Sequence, residues 1–524
     1  MRRGSQIDPA VFSVAAVVSL AFVMWGVLDT EGLGRVAENA LNWVISTFGW
    51  VFVLSTVAFL VFAAALCVSR FGQLRLGRDD ERPEFRTSSW IAMMFSAGMG
   101  IGLMFFAVAE PISHLSSPPA GTVRANTEAA AQQAMALSYF HWALHPWAIY
   151  AIVGLAIAYF TFRRGMPSLI SSAFHPLLGD RVHGPIGKSI DILAIFATLF
   201  GSATSLGLGA LQINSGLDFL WGVESSNGVA VIVIAVLTAA FVLSAVSGVA
   251  RGIQWLSNAN MVLAILLIVF LLAVGPTVFQ LETLVESIGG YLATIVPASF
   301  RTGAFADKEW LSSWTIFYWA WWISWAPFVG TFIARISRGR TVREFVVGVL
   351  LIPSGVSFVW FAVFGGAAIN LQLGGDADLA RVVDRPEIAL FTMLEQFPLS
   401  QLTSFLVIVL VALFFVSGAD AASVVMGMLS SGGNLSPARW VIVTWGVFTG
   451  AAAAVLLLAG GLDALQQAAI IAAAPFTLVM IGLCVSLFKA LQEDFGRAAT
   501  GAARAQGDRT PRAPGRRTTP VGGR

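Results

Sequence analysis

The side chains of this chain that could do chemistry are mostly aromatic, and many of them lie close together within apolar sequence. Four tryptophans fall within seven residues: Trp319, Trp321, Trp322 and Trp325. In a helix, Trp321 and Trp325 lie about one turn apart, whereas Trp322 points about 100° away from Trp321. An interfacial aromatic belt accounts poorly for Trp322 and Trp325, which lie near the middle of an apolar run. Pro327 predicts a break or kink just after the cluster.

A second aromatic group, Trp142, Trp147 and Tyr150, surrounds Pro146. Neither aromatic group has an acidic residue beside its tryptophans in the sequence. A primary amine in an apolar cavity needs hydrogen-bond acceptors and usually a carboxylate. A quaternary ammonium has no N–H and needs only the faces of aromatic rings, each worth about 0.5–2 kcal/mol. The two groups therefore predict a methylated ammonium ligand.

Glycines interrupt a third apolar run at Gly98, Gly100 and Gly102. Each costs up to about 1 kcal/mol relative to alanine within a helix. Gly98 and Gly102 have the spacing of close helix packing, but that does not explain Gly100, which lies on another face. The alternative is an unwound stretch whose carbonyls bind a cation and whose amides approach a substrate. The glycines alone leave both interpretations open.

Two histidines suggest a different chemistry. His141 and His145 have the one-turn spacing of a helical metal pair, and with Glu110 they could form a metal site in a membrane-embedded enzyme. We do not favour this site, because no further ligand lies close in sequence and Pro146 perturbs the turn. Glu110 and Asp420 are expected to satisfy helix ends or kinks through buried hydrogen bonds rather than to relay protons.

The elements that hold these residues are predicted to be membrane-spanning helices. Of the 524 residues, 57% are hydrophobic and 11% are charged, against about a quarter charged in soluble domains. This composition excludes a soluble enzyme and a nucleic-acid binder. A bilayer needs about 20 apolar residues per helix, and twelve runs qualify: Ala10–Leu28, Trp43–Val68, Trp90–Leu115, Ala134–Phe162, Ser189–Ile213, Val229–Val246, Leu256–Phe279, Trp314–Ile333, Phe345–Ile369, Leu402–Leu429, Trp440–Leu458 and Leu465–Leu487.

Positive charge predicts the orientation of these spans. Most of the 31 lysines and arginines fall at the two termini and in the even-to-odd connections. Both termini are therefore expected in the cytoplasm. The protein is expected to be a multi-pass protein of the plasma membrane. Between spans 7 and 8, apolar residues from Leu281 to Ile295 share one helical face, with Glu282 and Glu286 opposite, which predicts an amphipathic helix on the outer interface.

The sequence resembles the betaine/carnitine/choline transporter family. The stretches that carry the resemblance are residues 97–105, 141–150, 205–212 and 319–330, with Arg335 beyond. The resemblance implies an all-α membrane protein of 12 transmembrane helices, in which a leucine-transporter-type pair of inverted five-helix repeats follows two extra helices. The implied segments are the N-terminal tail with two peripheral helices (1–89), the first repeat (90–279), the outer connector helix (280–313), the second repeat (314–487) and a basic cytoplasmic tail (488–524).

The resemblance also implies the roles of individual residues. The ammonium box would consist of Trp142, Trp147, Tyr150 and Trp322. Trp321, Trp325 and Phe328 would line the cytoplasmic side of the path. The glycine stretch Gly98, Met99, Gly100 and Gly102 would pack near the carboxylate end of the substrate. One sodium site would use Ser96, Met99, Ser417 and Gly418, although Gly418 lacks the hydroxyl that can ligate in relatives. A second sodium site would use Thr198, Ser202 and Phe328.

The resemblance further implies how transport is coupled. Family members with an acid at the third glycine tend to take choline with protons, whereas this chain has Gly102, and no arginine replaces a cation in span 5. Both features favour sodium symport of a zwitterion such as glycine betaine, without any cofactor. A proton-coupled or exchange-type choline or carnitine transporter is the alternative. A homotrimer, anionic lipid at the basic tail and osmotic sensing through that tail are further expectations.

Overall fold

The computed structural model describes residues 7–98, 100–247, 250–305 and 308–507, with the side chains of 95–98, 247, 250–257 and 496–507 excluded. In these ranges the chain is helical, and its β structure is one isolated bridge between Arg75 and Thr341. The longer helices are α1 Pro9–Leu28, α2 Thr30–Val68, α3 Thr87–Gly98, α4 Ile101–Ser116, α5 Glu128–Trp142, α6 Leu144–Ala158, α7 Pro185–Trp221, α8 Asn227–Ser247, α9 Ala250–Val274, α10 Thr277–Ser299, α11 Phe317–Ile336, α12 Val342–Gly374, α13 Pro386–Leu394, α14 Ser400–Leu429 and α15 Arg439–Gly507.

Short helical turns complete the described ranges. They are the 3₁₀ turns Arg70–Gln73, Ser171–Phe174, Gly179–His183 and Ala380–Val382, the α turns His175–Leu178 and Lys308–Leu311, and the π turns Tyr159–Arg163 and Ser312–Ile316. The two π turns adjoin the aromatic helices, one after α6 and the other before α11.

Each predicted apolar run coincides with helix. The third run divides into α3 and α4, the fourth into α5, α6 and a π turn, and the last two share α15, whose path breaks at Gly460 and Gly461. Among the described residues, eight helices are long and apolar enough to cross a membrane, or nine if the bent pair α9–α10 is one span. The chain is thus a multi-pass α-helical membrane protein, while the twelve crossings and the inverted repeats stay predictions.

The predicted connector helix is α10, which meets α9 at an angle of 113°. One side faces the protein, where Gln280 and Ser287 are buried. Another side faces outward and is apolar, with Val285 72% exposed. Glu282 and Glu286, which were predicted to form the polar side, are exposed as well, so that side does not face the protein. The exposed apolar side chains are suited to contact with lipid.

The break predicted as one effect of Pro327 does not occur, because α11 continues through this residue to Ile336. The basic tail begins as helix, because α15 runs to Gly507. Arg163 binds Asp494 at 3.2 Å and Arg164 binds the same carboxylate at 2.9 Å. These ion pairs anchor the helix well beyond its last apolar turn, and residues 508–524 lie outside the described residues.

Candidate functional site

The glycine-rich stretch separates α3 from α4. Helix α3 ends at Gly98, Gly100 is extended with φ −170° and ψ −178°, and α4 begins at Ile101. Of the two interpretations that the glycines left open, the structure therefore has the interrupted helix. No side chain caps the N-terminus of α4, so its first amides remain available to a ligand. Met99 and the side chain of Ser96 lie outside the described residues.

Gly102 is the second residue of α4 and lies against two indoles. A Cβ atom at this position would lie 2.7 Å from Cη2 of Trp321 and 2.9 Å from Cη2 of Trp142. Real Cβ atoms do not tolerate such approaches without movement of the neighbours. The absent side chain therefore lets the two tryptophans come together over the start of α4.

The second aromatic group is shaped by a break at Ala143, whose φ is −105° and ψ is −116°. Pro146 has no N–H, so the carbonyl of Trp142 has no helical partner. The hydroxyl of Ser357 donates to that carbonyl at 2.9 Å. The break also frees the carbonyl of His141, which accepts the indole N–H of Trp322 at 3.0 Å. The helix break thus fixes Trp322 of α11 against α5.

The aromatic groups from α5, α6 and α11 enclose one space, here called the aromatic cavity, of about 40 Å³. It is lined by Gly100, Gly102, Leu103, Trp142, Pro146, Trp147, Tyr150, Trp321, Trp322, Trp325 and Ser357. The ring centroids of Trp142 and Trp322 are 4.9 Å apart with planes at 74°, and those of Trp147 and Tyr150 are 5.3 Å apart at 78°. Near-perpendicular rings form the walls of a box, and no charged side chain lines it. All four residues assigned to the ammonium box share this space.

A larger space of about 170 Å³, here called the adjoining cavity, meets the aromatic cavity at Gly100 and Trp325, which line both. Of the residues assigned to sodium, Ser202, Phe328, Ser417 and Gly418 line it. The structure thus gathers parts of both predicted sodium sites around one space. Thr198 does not line this space, and its hydroxyl donates to the Ala194 carbonyl at 2.8 Å in its own helix.

Several oxygen atoms of the adjoining cavity are free to bind a cation. The hydroxyl of Ser202 and Oδ1 of Asn260 are buried and have no hydrogen-bond partner among the described residues. The Asn260 amide donates to the Ser417 hydroxyl at 3.3 Å, so that its carbonyl side lies beside the same group. Sequence analysis missed Asn260. Its signal was an amide inside the seventh apolar run, where polar side chains are costly.

A buried carboxylate lies next to the aromatic cavity without lining it. Glu110 is fully buried and accepts the indole N–H of Trp142 at 2.7 Å. The same oxygen accepts the hydroxyl of Tyr318 at 2.5 Å, while the other oxygen lies 2.7 Å from His141 Nδ1 and 3.3 Å from His114 Nε2. The sequence argument that no acid accompanies the tryptophans is therefore wrong, because in the folded protein Glu110 contacts Trp142. Residues 110 and 142 are far apart along the chain, and only the packing of α4 on α5 brings them together.

The metal set considered from the sequence does not form as a unit. His145 lies beyond the break, where its Nε2 is 2.9 Å from the Ser299 hydroxyl and its ring stacks on Trp319. Ligand atoms of Glu110, His114 and His141 do lie within 4.8 Å of one another. Hydrogen bonds among these groups account for their arrangement.

Comparison with known proteins finds similar transporters. The family model of betaine/carnitine/choline transporters matches residues 10–496. The glycine betaine transporter OpuD of Bacillus subtilis is 50% identical over 489 residues, which cover 93% of this chain and 94% of OpuD. A probable glycine betaine transporter of Desulfitobacterium hafniense is 46% identical, with coverage of 92% and 97%. The betaine/ectoine transporter LcoP of Corynebacterium glutamicum is 41% identical, with coverage of 93% and 78%. These matches span every helix that lines the two cavities.

Proposed function

This chain belongs to the betaine/carnitine/choline transporter family and is a transporter rather than an enzyme, and from that premise we propose that it imports glycine betaine by sodium symport. The observation that carries the proposal is the aromatic cavity. Trp142, Trp147, Tyr150 and Trp322 surround it without a charged side chain. A trimethylammonium group has no N–H to satisfy, and its diffuse charge is stabilised by ring faces. The same cavity would leave the N–H groups of a primary amine without acceptors.

The carboxylate of glycine betaine is assigned to the N-terminus of α4. Gly100 and Gly102 line the aromatic cavity, and the first turn of α4 has no side-chain cap. The N-terminus of a helix carries about half a positive charge and free amides, both of which favour an anion. A zwitterion therefore fits with its cationic head among the rings and its anionic end at the helix. Choline has no carboxylate and leaves these amides without a ligand.

Sodium is assigned to the adjoining cavity. Hydroxyl and amide oxygens of Ser202, Asn260 and Ser417 face a space that shares two lining residues with the aromatic cavity. Cation binding by oxygens at broken helices is typical of sodium-coupled transporters. Because Gly100 and Trp325 line both spaces, occupancy of one affects the shape of the other. This coupling is the basis of the alternating access that we assign to the protein, with a homotrimer and anionic lipid at the tail as further parts of the proposal.

Uptake by proteoliposomes tests the proposed function. Purified protein is reconstituted, and entry of labelled betaine, choline, carnitine, dimethylsulfoniopropionate and ectoine is measured under an inward sodium, lithium or potassium gradient. We expect accumulation of betaine with sodium alone. Accumulation of choline or carnitine in preference to betaine would overturn the substrate assignment, and accumulation driven by a pH gradient without sodium would overturn the coupling. The Asn260→Leu variant separates the substrate assignment from the coupling assignment. It should weaken the sodium dependence of uptake and leave the order of substrate preference unchanged.

A further inference from the structure

The carboxylate of Glu110 has the surroundings of an ionised group. Four donor groups reach its two oxygens: His114 Nε2, His141 Nδ1, Trp142 Nε1 and the Tyr318 hydroxyl. An ionised carboxylate presents about four lone-pair positions, so each of these donors can be accommodated. Indole N–H groups can only donate, which fixes the direction of at least the bond from Trp142.

The hydrogen-bond partners of the two histidines that contact Glu110 fit neutral rings. His114 Nδ1 is buried and has no hydrogen-bond partner among the described residues, so its proton belongs on Nε2, which faces Glu110. His141 Nε2 lies 3.0 Å from the Thr315 hydroxyl, which can donate to it, while Nδ1 donates to Glu110. With both rings neutral, the cluster carries one net negative charge. Within the described residues, no lysine or arginine pairs with Glu110.

A buried charge without an ion-pair partner is costly, so the charge of Glu110 calls for a counter-ion. The aromatic cavity is a space that can hold one, because Trp142 both lines this cavity and donates its indole N–H to Glu110. We propose that Glu110 is the anionic partner of the bound ammonium group and acts through the indole of Trp142. This inference rests on the proposed function, because it assumes that the aromatic cavity receives a permanently cationic head.

Two physical effects connect the carboxylate to the ligand. An indole that donates its N–H to an anion gains electron density, which makes its face more attractive to a cation. The charge of the carboxylate also attracts the cation directly through a dry, weakly screening wall. Opposite unit charges about 8 Å apart, at an effective dielectric constant of about 20, change a dissociation constant by roughly 30-fold.

The position of the acid behind the ring also favours selectivity. A carboxylate inside the cavity would accept hydrogen bonds from primary and secondary amines. Behind Trp142, the charge of Glu110 still reaches the ligand, but its oxygens are already occupied by protein donors. Glu110 therefore stabilises a positively charged ligand without accepting hydrogen bonds from N–H groups of that ligand. It is a positioning and electrostatic residue rather than one that touches the substrate.

The test compares glycine betaine with 3,3-dimethylbutanoate, in which a neutral tert-butyl group replaces the trimethylammonium group at nearly the same shape. Dissociation constants of both ligands are measured on the full-length protein by equilibrium binding in sodium, so that no transport is required. For Glu110→Gln we expect the preference for betaine over the isostere to fall roughly ten- to thirty-fold, mostly through betaine. For Glu110→Asp, which keeps the charge, the preference should be largely retained. A merely structural role would weaken both ligands alike and leave the preference unchanged.

A second pair of variants serves if Glu110→Gln does not fold. Trp142→Phe removes the indole that connects the carboxylate to the cavity, whereas Tyr318→Phe removes a hydrogen bond from the same carboxylate oxygen but keeps that connection. The preference should fall in Trp142→Phe and hold in Tyr318→Phe, and equal effects would overturn the inference. A stoichiometric metal in the purified wild type would also overturn it, because the metal would neutralise Glu110. If the wild type itself shows no preference for betaine, the proposed function fails instead.

Discussion

Replacement of Trp322 tests the aromatic cavity most directly. This indole is 7% exposed and stacks on Trp321 at 4.8 Å with planes 15° apart, while Trp142 stands edge-on to it at 4.9 Å. Trp322→Leu removes the aromatic face at this position of the cavity, whereas Trp322→Phe retains an aromatic face there. Both variants lose the indole hydrogen bond to the His141 carbonyl. The difference between them therefore isolates the aromatic face from the hydrogen bond.

The expected magnitude follows from the burial of the ring. A desolvated contact between a cation and an aromatic face is worth about 2 kcal/mol, and each 1.4 kcal/mol is a factor of ten. The KM for betaine should thus be roughly 30-fold higher in Trp322→Leu than in Trp322→Phe. The lost hydrogen bond, worth about 1 kcal/mol, should raise KM by about fivefold in both variants relative to the wild type.

The assay is the initial rate of labelled betaine uptake by proteoliposomes at saturating sodium. Each variant is first checked for the elution profile of a folded protein, and uptake is scaled to the reconstituted amount. Trp221→Leu is the control, because this tryptophan is 59% exposed and distant in sequence from both aromatic groups. Equal KM values for the Leu and Phe variants would refute the reasoning, since the ring face would then contribute nothing to binding.

Three further substitutions give expected outcomes. Gly102→Ala should raise the KM for betaine by about fivefold to a hundredfold, because overpacking against two indoles costs about 1–3 kcal/mol. Gly289→Ala, where a Cβ meets no atom within 4 Å, is its control, and an equal KM in both variants would contradict the close approach. Gly418→Ser places a hydroxyl in open space of the adjoining cavity, so the sodium concentration for half-maximal uptake should fall; a rise would argue against sodium there. Ser202→Ala should raise that concentration about fivefold, through loss of about 1 kcal/mol, with the betaine KM at saturating sodium as the control; an unchanged sodium requirement would exclude this hydroxyl as a ligand.

Much of the fold could be predicted because membrane segments have a strong local signal. A helix that crosses lipid must be apolar over about 20 residues, so the runs are visible without any tertiary contact. The glycines near Gly100 indicated a weak helix, since glycine is a poor helix former, but they did not distinguish an interruption from close helix packing. Helix lengths were harder to predict. Helix α2 starts at Thr30, well before its apolar run at Trp43, because the polar residues ahead of the run continue the same helix.

The breaks at prolines needed the surrounding structure. Pro146 and Pro327 both lack an N–H, but only the first accompanies a break, at Ala143. The freed carbonyls at that break are bound by Ser357 and Trp322 from other helices. Such partners stabilise a broken helix, and their presence cannot be deduced from the proline alone.

By itself, the sequence determined the class of the protein, because its composition excludes water as the surrounding solvent; from the aromatic groups it also predicted a quaternary ammonium ligand. Only the tertiary structure decided that rings from α5, α6 and α11 enclose one space and that Asn260 faces the adjoining one. It also decided that Glu110 lies behind Trp142. The physical reason is range: periodicity and composition act over a few turns of helix, whereas a binding cavity depends on side chains that meet only when distant helices pack.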